Sequence, residues 1–90
     1  MDTVSLSPDE VGRRAKDLYE SKIRFAVETE ANIGKLVIID VETGDYAFDK
    51  KGLDSAATLR AKNPHARLGA IRIGYDVAAA FGAMMERIER

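Results

Sequence analysis

Residues 36–46 read LVIIDVETGDY. The apolar run predicts a strand from Lys35 to Val41, with Leu36 and Ile38 on one face and Val37 and Ile39 on the other. Both faces are apolar, so this strand is central and covered on both sides. Glu42-Thr43-Gly44-Asp45 predicts a tight turn, with Gly44 supplying the positive φ that a bulged hairpin needs. The return strand is then Asp45 to Asp49, with Tyr46 and Phe48 on one face. Asp40 and Glu42 are two apart, so on a strand both carboxylates project from the same face, about 7 Å apart at the backbone. Two such carboxylates can hold a divalent cation.

Working outward, Ser7-Pro8-Asp9-Glu10 is a helix start. Ser7 is a good N-cap, Pro8 suits the first helical position, and Glu10 completes a capping box. Val11, Ala15, Leu18, Tyr19, Ile23, Ala26, Val27 and Ile33 recur at helical spacing, and Gly34 is the natural stop. A helix over 8–32 would be about 37 Å long, against a domain of about 30 Å, so it overhangs, bends or packs on a second copy. After the hairpin, Asp49 is read as the N-cap of a second helix that carries Leu53, Ala56, Ala57 and Ala61 and ends at Asn63-Pro64. A third strand alternates from Arg67 to Ile73. Asp76 then caps a last helix over 76–89, with Val77, Phe81, Met84, Met85 and Ile88 as its apolar stripe.

The expected fold class is therefore α+β, in the order α-β-β-α-β-α. The hairpin and the helical crossover give a three-stranded antiparallel sheet of order 2-1-3. Residues 1–90 make a single domain: a long helix 8–32, a ββαβ core 35–74 and a C-terminal helix 76–89. Such a sheet leaves two edges open and one face short of cover. With the over-long helix, this predicts a homodimer. Leu18, Ile23, Phe81, Met84, Met85 and Ile88 are the candidate dimer or partner face.

Charged residues at 32% and hydrophobic ones at 46% suit a soluble globular chain. Cysteine is absent, which excludes disulfides and thiolate chemistry. The segment MDTVSLSPDE has no signal-peptide core, and no run approaches a membrane span, so a cytoplasmic protein is expected. Charge is unevenly placed. Residues 1–49 hold 6 Lys/Arg against 11 Asp/Glu, net −5, and residues 50–74 hold 6 against 1, net +5. Such a partition serves a polyanion patch or the attraction of two copies. Arg60, Lys62, Arg67 and Arg72 are the candidate patch, and nucleic-acid binding is the alternative function.

Asp40 to Gly44 resembles the first carboxylate motif of proofreading-type exonucleases. That family needs two further Asp residues and a general-base His, on a scaffold roughly twice this length. The single His here is His65, and the next acid after it is Asp76. Asp40, Asp45 and Asp49 are accordingly read as strand-end and capping residues. Four scattered serines and a lone His65 make no nucleophile elbow or triad, and the glycines make no phosphate loop. No catalytic residue, metal or cofactor is expected.

A longer likeness begins at Gly34-Lys35 and runs through Asp40, Thr43-Gly44-Asp45-Tyr46, Leu53, Lys62-Asn63-Pro64 and Arg72-Ile73-Gly74-Tyr75. On these residues the chain resembles a group of short bacterial proteins of unknown function, common in cyanobacteria. The resemblance covers 34–82 well and the first helix loosely, and brings no activity with it. Members are often encoded beside a small protease-like or toxin-like protein, which implies an accessory or antitoxin-like partner. The expectation is thus a small, non-enzymatic, homodimeric protein-interaction module.

Overall fold

The computed structural model describes residues 7–75 and 78–80. The elements run α1 (Pro8–Leu18), a π-helical turn (Tyr19–Ile23), α2 (Arg24–Val27), a 3-10 turn (Glu30–Asn32), β1 (Leu36–Asp40), β2 (Tyr46–Asp49), α3 (Leu53–Lys62), β3 (Leu68–Arg72) and β4 (Ala78–Ala80). The strands form one sheet, in the order β2-β1-β3-β4, with every neighbouring pair antiparallel. The predicted 2-1-3 order and central β1 are present. The strand count is corrected from three to four.

Helix α1 starts as its sequence dictates. The Ser7 hydroxyl accepts the Glu10 N–H at 3.2 Å, and the Glu10 carboxylate accepts the Ser7 N–H at 3.2 Å. Its buried stripe continues through α2 as Val11, Ala15, Tyr19, Ile23 and Val27, every fourth residue. In a regular α-helix a four-residue step drifts about 40°, so four steps would swing the stripe about 160° off the sheet. The π-turn at Tyr19–Ile23 absorbs one residue of that drift and keeps Ile23 and Val27 facing the core.

The first helical run ends at Val27 and not at residue 32. Glu28 leaves helical geometry at ψ 89°, and Thr29 is extended. The Asn32 amide donates to the Val27 carbonyl at 3.0 Å, satisfying a helix-end acceptor. Residues 8–27 span about 30 Å, the width of a domain of this size, so of the overhang, bend or second-copy packing expected of a helix over 8–32, the overhang does not arise.

The predicted helix over 76–89 is also corrected where it can be seen. Ala78–Ala80 is strand β4, paired through Gly69↔Ala80 and Ile71↔Ala78. Alanine favours helix on its own, but β3 offers an open edge, and Ala78 and Ala80 are slim enough to pack under α1. The remainder of that prediction, with Phe81, Met84, Met85 and Ile88, lies outside the described residues.

Each face of the sheet carries a helical cover, and the face short of cover is the α1 face over β2, where Tyr46 and Phe48 stay exposed. Val37, Ile39, Val41, Ile71 and Ile73 pack on the α1–α2 stripe, while Leu36, Ile38, Leu68 and Ala70 pack on Ala56 and Leu59 of α3. The two covers are offset. Helix α1 lies over β3 and β4, and α3 lies over β2 and β1. The approach of α1 is close because position 69 is glycine: a Cβ there would sit 2.5 Å from the Ala15 Cβ and 3.3 Å from the Val11 carbonyl oxygen. Among the described residues no helix is long and apolar enough to cross a membrane.

Candidate functional site

Of the two carboxylates that open the question of chemistry, Asp40 is committed to structure. Asp40 is 2% exposed. Its Oδ1 accepts the Glu42 N–H at 3.0 Å, and its Oδ2 accepts the Asn63 side-chain amide at 3.2 Å. The strand ends at Asp40, so the alternation that would bring Glu42 to the same face stops short of it. Glu42 is an exposed turn residue. Asp40 therefore clamps the hairpin turn to the C-terminal end of α3. Among the described residues no three His, Cys, Asp or Glu side chains form a group able to hold a metal.

The turn itself is a four-residue loop, 41–44. It is closed by Asp40 N–H to Asp45 O and Gly44 N–H to Asp40 O, each at 2.8 Å, with Gly44 at φ 86°. The Thr43 hydroxyl accepts the Asp45 N–H at 3.1 Å.

Asp49 is not the residue directly before the helix; Gly52, at φ 82°, is. It nonetheless caps α3 from a distance. Its Oδ2 accepts the Gly52 N–H at 3.0 Å, and its Oδ1 accepts the Ser55 N–H at 3.2 Å and the Ser55 hydroxyl. Burial pushes this carboxyl's pKa up, but the bonds from the Ser55 side chain and from the Ser55, Gly52 and Lys51 backbone outweigh it. The net pKa lies below the ordinary aspartate value.

The four candidate basic residues are spread over α3 and the two ends of β3. Arg60 and Lys62 are exposed on α3 but two positions apart, about 200° around the helix. Arg67 is exposed where the chain enters β3. Arg72 is at the other end of that strand, about 13 Å along it from Leu68, and donates to the Gly34 carbonyl at 2.7 Å. The candidate partner face is also altered. Ile23, at 2% exposed, belongs to the core, and Leu18 is half-buried against it.

What the surface offers instead is apolar. Phe25 is 82% exposed on α2, and Ile33, Leu53 and Tyr75 are each more than half exposed. Tyr46 and Phe48 are 39% and 37% exposed on β2, a strand with no neighbour on its outer side among the described residues. Their cross-strand partners are Ile39 and Val37, which places both aromatics on the α1 face of the sheet. Because α1 lies over the opposite half of the sheet, it leaves them half open. The Lys35 ammonium stands 5.9 Å from the Phe48 ring centroid and is also held by the Asn32 side chain at 3.1 Å.

The backbone parity of β2 follows from its closing pair. Asp40 bonds Asp45, so Ala47 and Asp49 also bond inward to β1, and the N–H and C=O groups of Tyr46 and Phe48 point outward. The strand is bracketed by charge. Exposed Glu42 and Asp45 lie at its turn end, and exposed Lys50 and Lys51 at its other end. The alternation of Tyr46 and Phe48 was visible in the sequence. Their exposure was not, because it depends on which half of the sheet α1 covers. Phe25 carried no signal beyond falling off the buried stripe.

No protein-family model, curated protein or solved structure matches the chain.

Proposed function

We propose that the chain is a small protein-interaction module that works as a homodimer, not an enzyme. The observation that carries this reading is the half-open pair Tyr46 and Phe48 on a strand edge that has no partner among the described residues. Apolar side chains beside unsatisfied strand backbone are a ready template for another chain, and a strand left so is an aggregation hazard unless something covers it. The engagement of both Asp40 oxygens, by the turn and by Asn63, fits the same reading, since it gives that carboxylate a structural role. The family resemblance adds an accessory, antitoxin-like role beside a second protein. Light scattering tests the homodimer. At about 100 µM chain the expected mass is twice 9.9 kDa. A mass of 9.9 kDa at every concentration would overturn it.

A further inference from the structure

The outer edge of β2 specifies an occupant as well as an opening, on the reading that the chain associates with itself. Three properties of the strand bear on one another. Tyr46 and Phe48 alone direct their backbone groups outward. The same two residues carry the exposed aromatic side chains, both on one face. Acids stand at one end of the strand and lysines at the other.

We infer that this edge pairs with β2 of a second copy, antiparallel, about a two-fold axis beside Ala47. Two four-stranded sheets then become one continuous sheet. In this register Tyr46 of one copy stands opposite Phe48 of the other, twice, and both are hydrogen-bonding positions. The aromatic pairs stack across the junction on the α1 face, and Ala47 meets Ala47 on the opposite face, where bulk would be least welcome.

Charge selects the orientation. Antiparallel pairing brings Glu42 and Asp45 of each copy beside Lys50 and Lys51 of the other. A parallel pairing would stack like on like. Such exposed pairs add little affinity, but they discriminate between arrangements. The one like-signed opposition in this register, Asp45 against Asp49, is relieved because the Asp49 carboxylate is held by the α3 N-terminus.

Sedimentation of the whole chain, with circular dichroism as the check on folding, tests the arrangement. Phe48→Pro removes an outward N–H and leaves the inward bonds of Ala47 and Asp49 to β1, a placement that strand edges tolerate. The dimer dissociation constant is expected to rise about tenfold or more. Two charge variants give an independent test that keeps both aromatics. E42K/D45K makes both ends of β2 basic, and K50E/K51E makes both acidic. Each is expected to be monomeric alone, and an equimolar mixture to recover the dimer. If the unaltered chain dimerises and all three variants dimerise equally well, edge pairing is wrong while self-association stands. Charge variants that stay apart on mixing overturn the antiparallel arrangement. A monomeric unaltered chain overturns both readings. If Phe48→Pro does not fold, the mixing experiment decides.

Discussion

Asp49 illustrates how one side chain can hold two elements. It closes β2 and caps α3, and the bonds that reach it favour the ionised form. A carboxyl whose folded-state pKa is depressed contributes stability above its unfolded pKa and loses it as pH falls through the folded one. Its Ser55 and backbone bonds depress this one. Asp49→Asn should therefore cost about 1 kcal/mol at neutral pH, measured by urea unfolding. The gap to the unaltered chain should narrow as pH is taken below about 4, the ordinary aspartate range. Gly69 makes a complementary prediction in the opposite face of the sheet. The methyl of Gly69→Ala would press on Ala15 and on the Val11 carbonyl, so a loss of about 1–3 kcal/mol is expected. Combining it with Ala15→Gly, which removes the atom 2.5 Å away, should cost less than the sum of the two single changes.

At the scale of elements, the π-turn gives the sharpest test. A π-turn is an α-helix carrying one surplus residue, so deleting exposed Ser21 should leave α1 and α2 in phase. The buried steps would then be four, four, three and four, and stability should change by no more than about 1 kcal/mol. Inserting one alanine after Ser21 turns Ile23 and Val27 off the core, at about 1.5–3 kcal/mol for each. Thermal unfolding of the two variants separates these outcomes. The same segment marks where sequence reading reaches its limit. The Ser7–Glu10 capping box gave the helix start, and the apolar stripe was present, but a helix end at Glu28-Thr29 carries no Gly or Pro to announce it. The hairpin, α3 and β3 were legible because alternation and turn residues are local. Strand β4 was not, because three alanines read as helix until the open edge of β3 is in place.

Across the whole molecule, the legible parts were the order of β2, β1 and β3 and the two-faced burial of β1. The offset of the two helical covers was not legible, and it decides the candidate site, since it leaves Tyr46 and Phe48 half exposed. Asp40 reads from sequence as a strand-end residue, and it does end β1; its bond to Asn63, 23 residues on, was not legible, because it depends on where α3 ends. The basic residues of 50–74 share a stretch of chain but are spread over the β2–α3 loop, α3 and the two ends of β3.

The placement of α1 over β3 and β4 also bears on how the protein is made. Ribosomes deliver α1 early, yet the strands it rests on come from residues 68–72 and 78–80. Until those emerge, the stripe from Val11 to Val27 has no platform, and closing that distance costs chain entropy before any burial offsets it. The hairpin and α3 have short-range partners and can assemble first. Helix α1, made before those strands, thus waits for them, and while synthesis continues its apolar stripe has most need of a chaperone's shelter.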